Sequence, residues 1–146
     1  MTQFARPSVD TTRDNWEEDD GSTTDIFDQI DEASADDGDF IRTGLTPTND
    51  VYVTKLTSVE DPLSPTGHVV RYRYGKQTAG GDQIDIIVQL RQGYVNEGTP
   101  GTLIAAQTHS DVPTGFTDGS ITLSSGEADA ITNYADLYLR FVGNKP

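Results

Sequence analysis

The stretch Gln83-Ile84-Asp85-Ile86-Ile87-Val88-Gln89-Leu90-Arg91 decides the fold. Ile84, Ile86, Val88 and Leu90 recur at every second position, and Asp85, Gln89 and Arg91 alternate with them. A period of two belongs to a β-strand with one buried face. Ile87 is the one apolar interruption of the polar side. Just upstream, residues 68–76 repeat the pattern, with Val70, Tyr72 and Tyr74 on one face and Arg71 and Arg73 on the other. Residues 77–81, between the two runs, are rich in glycine. They read as a hairpin loop, so the two strands are expected to pair antiparallel near the middle of a sheet.

The same reading extends in both directions. Residues 93–101 form a longer loop containing Pro100, followed by strands at 102–108 and 119–124. Ser124-Ser125-Gly126-Glu127 matches a capping box, because a Ser is followed three residues later by a Glu. A helical turn or two is therefore expected from Glu127 to about residue 133. Residues 136–142 close the chain as a strand, with Leu137, Leu139 and Phe141 inward. Upstream, residues 40–42 and 51–58 are further strands. Seven short strands, 14 glycines and 7 prolines in 146 residues predict an all-β fold. The expected form is an antiparallel two-sheet β-sandwich, jelly-roll-like.

Charge divides the chain. Residues 1–39 hold 13 acids against 2 bases, a net of −11, whereas residues 40–146 hold 11 against 8, a net of −3. The expected organisation is an acidic leader over 1–39 and a β-sandwich domain over 40–146. Residues 1–24 read as an extended arm, with Pro7 fixing the backbone and Glu17-Glu18-Asp19-Asp20 repelling one another. Phe4 and Trp16 are unusual in such a tail and are expected to dock, either on the domain itself or on a partner. Residues 24–33 predict a short helix capped by Thr24, with Ile26, Phe27 and Ile30 on one face. Met1-Thr2-Gln3 reads as the product of synthesis in the cytoplasm, and residues 1–20 carry no secretory signal.

These features exclude several chemistries. There is no cysteine, so disulfides, thiolate metal ligation and thiol catalysis are absent. The net charge of −14 comes with no basic stripe, so duplex nucleic acid and anionic membrane surfaces are not expected partners. Asp36, Asp37 and Asp39 lack the spacing of a calcium loop and read as turn residues. His68 and His109 are too far apart to form a helical metal pair and read as strand-end side chains. No G-x-S-x-G or P-loop is present, so no catalytic, cofactor or metal residue is singled out. Tyr72 and Tyr74 read as core residues, while Tyr94, in a loop, is the candidate for an exposed contact.

Several segments resemble a group of small tailed-phage virion proteins. In the leader they are Phe4-Ala5-Arg6-Pro7-Ser8, Asp25-Ile26-Phe27-Asp28-Gln29-Ile30-Asp31-Glu32 and Asp36-Asp37-Gly38-Asp39-Phe40-Ile41. In the body they are Val88-Gln89-Leu90-Arg91-Gln92-Gly93, the stretch from Leu123 through Ser124, Glu127 and Ile131, and Leu137-Tyr138-Leu139-Arg140-Phe141. Similar segments also occur as modules in larger phage structural proteins. The resemblance spans most of the chain and implies a non-enzymatic β-sandwich on a virion. For a free-standing chain of this size it implies a capsid decoration, or cement, protein bound to the major capsid protein. The copies are then expected to form a homo-oligomer, with a trimer at symmetry axes as one form. In this reading Phe4, Arg6 and Trp16 form a clasp, apolar anchors among carboxylates that pair with basic capsid residues. Two alternatives stay open: a glycan-binding module on the virion using Tyr94, and a tail or neck component.

Overall fold

The computed structural model describes residues 2–78 and 81–146. The architecture is all-β, built on a multi-stranded antiparallel sheet. Nine strands are described: β1 (Pro7–Arg13), β2 (Glu17–Glu18), β3 (Ile41–Arg42), β4 (Asp50–Leu56), β5 (Val69–Tyr74), β6 (Asp85–Gln92), β7 (Thr102–His109), β8 (Thr117–Thr122) and β9 (Leu137–Asn144). A 3-10 turn spans Ile26–Gln29, and one α-helix, α1, spans Ser125–Asp129. The main sheet has the order β1-β4-β9-β6-β7, while β2-β3 and β5-β8 are separate two-stranded ribbons.

Alternation explains the layers. On β4 and β9, Tyr52, Leu56, Leu137 and Leu139 point to one face, where Val88 and Leu90 of β6 join them. The β5-β8 ribbon covers part of this face through Val70 and Ile121, and Ala128 of α1 completes the cluster. The rest is covered by the leader, whose Trp16 and Ile26 pack on Tyr52. The opposite face carries Val51, Val53, Tyr138 and Val142, with Tyr94 folded over them. Ile87, the interruption in the β6 pattern, packs there. A strand with apolar contacts on both faces belongs in the interior of a sheet.

Three expectations need correction. First, β5 and β6 do not form a hairpin. β5 pairs with β8, from Val69↔Thr122 to Tyr74↔Thr117, and β6 lies between β9 and β7. The segment after β5 is bound instead to the 111–115 loop. Lys76 N–H donates to Pro113 O at 2.8 Å, and Gly115 N–H donates to Lys76 O at 2.9 Å. The chain therefore crosses from ribbon to sheet, and part of the expected hairpin loop, residues 79–80, lies outside the described residues. Second, residues 7–13 of the expected arm form the edge strand of the main sheet, pairing with β4 from Pro7↔Leu56 to Arg13↔Tyr52. Third, the helix expected over 24–33 is a single 3-10 turn. Asp25 takes a left-handed φ of 53° and supplies no side-chain cap. The cap comes from β1, where the Asp10 carboxylate accepts from Ile26 N–H at 2.9 Å and Phe27 N–H at 3.0 Å.

The helix after β8 keeps its box. Ser124 Oγ accepts from Glu127 N–H, and Glu127 Oε2 accepts from Ser124 N–H. The helix ends at Asp129, before the expected residue 133.

Candidate interaction surface

Of the four residues singled out in the sequence, two meet on the surface and two are in the core. Phe4 is 61% exposed. Its backbone neighbours hold it outward. Gln3 exchanges two hydrogen bonds with the backbone of Glu60, at 3.0 and 2.8 Å. Arg6 N–H donates to Thr57 Oγ1, and Thr57 N–H donates to Arg6 O. The Arg6 guanidinium lies 5.2 Å from the centre of the Phe4 ring and donates to Glu32 O. A cation over an aromatic face fixes both groups.

Trp16 and Tyr94 offer no surface, which corrects their expected role. Trp16 is 6% exposed, and its indole N–H donates to Asp50 O at 2.9 Å. It docks on its own domain. Tyr94 is 3% exposed because the loop after β6 folds back over the sheet. Its hydroxyl is 2.7 Å from that of Thr12 and donates to Glu97 at 2.8 Å. Glu97 in turn accepts both arms of Arg140, at 3.0 and 2.6 Å. Arg140 holds the Glu97 carboxyl below the usual range. The loop position of Tyr94 gave no sign of this, since the sequence does not show where a loop folds.

The leader forms an acidic flank. Trp16 and Ile26 anchor it inward, and Asp19, Asp20, Asp25, Asp28, Asp36, Asp37 and Asp39 are exposed. Partial burial, then Asp20 and Asp28, push the Glu18 carboxyl upward. Burial also raises Glu32, with Asp31, Asp39 and Asp36 adding to the effect. Aspartates close enough to add to the rise at Glu18 and Glu32 mark a negative surface that favours an incoming cation. At one point the fold supplies that cation itself. Arg73 of β5 grips both oxygens of Asp37, at 2.7 and 2.8 Å, and reaches Asp118 at 2.6 Å. Asp36 makes a turn, its carboxylate accepting from Gly38 N–H at 2.8 Å. Among the described residues, no cluster of three or more His, Asp or Glu side chains is placed to hold a metal.

The histidines are held by tyrosines. His68 Nε2 is 2.8 Å from Tyr134 Oη, and His109 Nε2 is 2.7 Å from Tyr72 Oη. Tyr74 stacks on His109 with ring centres 3.9 Å apart, and burial lowers the His109 pKa. Two surface depressions among the described residues are open: one of about 400 Å³ beside Gln3 and Glu60, and one of about 220 Å³ between Asp61, Leu63, Asp129 and Tyr134.

The chain matches no family model, no curated protein and no solved structure. Among the described residues, no helix is long and apolar enough to cross a membrane. Among the features that face outward are the acidic flank and, joined to it through the Arg6–Glu32 bond, the exposed ring of Phe4; Leu45, Leu63 and Val95 are exposed apolar side chains elsewhere.

Proposed function

We propose that this chain is a non-enzymatic structural protein of a tailed-phage virion, a decoration or cement protein. It sits on the outer surface of the head and binds the major capsid protein. The resemblance of the leader and body segments motivates this reading. The observation that carries it is the fixed acidic flank bordered by Phe4. In this reading the fold is a two-layer sandwich, the five-stranded sheet being one layer and the two ribbons with α1 the other. The outward carboxylates attract basic residues of the lattice, and Phe4 inserts as the apolar anchor. Arg6 positions that ring. Trp16 acts indirectly, by holding the flank to the body. The glycan-binding alternative loses its motivating residue, because Tyr94 is buried.

The test is to add pure protein to heads lacking it and to count bound copies as salt is varied. The expected result is saturable binding at a stoichiometry set by the lattice, weakening as salt rises. Phe4→Ala and a combined Asp19→Asn, Asp20→Asn, Asp25→Asn variant should each weaken binding about tenfold or more. No binding, or a few copies at a single vertex, overturns the proposal; the second outcome indicates a neck or tail position.

A further inference from the structure

The two edges of the main sheet differ. β1 begins with Pro7, carries Asp10 and Arg13, and has two register shifts against β4. Proline, charge and bulges are the means by which proteins prevent an edge strand from pairing. β7 has little of this. Its sequence, Thr102-Leu103-Ile104-Ala105-Ala106-Gln107-Thr108-His109, contains no Asp, Glu, Lys, Arg or Pro. Its one register shift lies near its start, and from Ala105↔Leu90 to His109↔Ile86 the ladder is regular. Over that regular half, Ala106, Gln107 and Thr108 are all exposed. Ala106 and Thr108 leave the outer face of the strand open, and on the core face Gln107 is exposed between buried Ala105 and half-buried His109. Among the described residues, the β7 backbone takes one bond outside its ladder to β6. It is local, from the Gln107 side-chain Nε2–H to Thr108 O at 3.1 Å.

We infer that β7 is a self-association edge, pairing antiparallel with β7 of a second copy of this chain about a two-fold axis near Gln107. Two observations select a second copy. An antiparallel edge is complementary to itself, and β1 offers no usable second edge, so the main sheet extends across one two-fold axis and closes at two. The charge distribution agrees. A chain of net charge −14 repels its own copies, and β7 is an uncharged strip along which two copies approach without opposing carboxylates. A cationic partner is drawn to the leader flank instead. This inference does not rest on the virion reading.

The experiment measures the mass of the full-length protein by sedimentation from micromolar to millimolar concentration, with hydrogen exchange in parallel. The expected result is a concentration-dependent change from one copy to two, with β7 amides gaining protection only at high concentration. Gln107→Lys places like charges near the axis and should weaken the dimer about tenfold. Gln107→Glu should do the same. An equimolar mixture of the two variants should recover the two-copy species. A chain that stays single at every concentration overturns the inference, as does a three-copy mass, which an isologous edge pair cannot form. Undiminished association of both variants also overturns it. The wild-type exchange pattern decides the matter without a variant if either substitution disturbs folding.

Discussion

Replacing Asp10 tests whether the acidic leader is part of the folded body. Its carboxylate accepts three hydrogen bonds: from Ile26 N–H, from Phe27 N–H, and from Tyr52 Oη at 2.6 Å. Tyr52 is fully buried, and burial first, then Asp10, raise its phenol far above the usual range, so it remains a donor. Asp10→Ala leaves that hydroxyl without an acceptor, at ~1–3 kcal/mol, and uncaps the 3-10 turn. Water reaches the two backbone amides in part, so the total is about 3–5 kcal/mol. That is a large share of the ~5–15 kcal/mol that holds a typical domain. Tyr52→Phe removes only the donor and should cost about 1 kcal/mol, since Asp10 keeps two partners. Asp10→Asn should fall between the two, because its amide presents N–H to N–H. The double variant Asp10→Ala with Tyr52→Phe should cost less than the sum, because the buried hydroxyl is gone. Urea unfolding followed by far-ultraviolet circular dichroism reads these differences. For Asp10→Ala, the midpoint should fall by roughly 2 M at a typical m-value. Fluorescence of Trp16, the only tryptophan, reports the leader in the same titration. An Asp10→Ala cost no greater than that of Tyr52→Phe would refute the reasoning, because the leader would then be held by something other than this carboxylate.

Two further outcomes follow from the geometry. Arg140 depresses the folded pKa of Glu97, so the stability this pair contributes is present above the ordinary carboxyl pKa and is lost as pH falls through the depressed value. Glu97→Gln should therefore flatten the stability profile below about pH 4.5 while costing under about 1 kcal/mol at neutral pH, where solvent screens the pair. Profiles of equal slope would show that the pair is not formed. Separately, a Cβ at residue 119 would lie 2.3 Å from the Tyr72 ring, which its bond to His109 holds in place. Gly119→Ala should cost ~1–3 kcal/mol and alter the near-ultraviolet dichroism. The cost should shrink in a Tyr72→Leu background, and an equal cost in both would mean the ring is not the obstacle.

Side-chain alternation was legible; strand pairing was not. The β6 pattern marked Val88 and Leu90 as core residues, and even its flaw was informative, since Ile87 meets the second apolar layer. The Ser124–Glu127 box was readable because both partners lie within one turn. Which strands pair depends on backbone groups that every residue carries, so the Gly-rich segment after β5 looked like a hairpin while the chain passes from the β5-β8 ribbon to the main sheet. The leader was misleading for a related reason. Its charge run suggested an extended arm whose Phe4 and Trp16 dock on the domain or on a partner, but charge on outward positions does not stop the leader from joining the sheet when Trp16 and Ile26 point inward. The cap on Ile26 comes from a residue 16 positions away and left no local signal.

The acidity of this chain does two kinds of work, and position separates them. One group of aspartates accepts hydrogen bonds from other segments of the fold. Asp10 lies beside a register shift of β1, and Asp14 accepts from Val51 N–H at 2.9 Å where that strand ends. Asp50 is 7% exposed, with one oxygen taking Asn15 Nδ2–H and the other Thr43 Oγ1–H. Asp85 accepts from Asp111 N–H and Gln83 Nε2–H, and these bonds lower its pKa. Each of these carboxylates ties two segments together: Asp10 holds the 3-10 turn and Tyr52, Asp14 holds the start of β4, Asp50 holds Asn15 and Thr43, and Asp85 holds the 111–115 loop. The second group, Asp19, Asp20, Asp25 and Asp28, makes no such bond to a distant strand among the described residues and faces water. Neutralising the first group should unfold the protein, whereas neutralising the second should leave the fold intact and change only what the flank attracts.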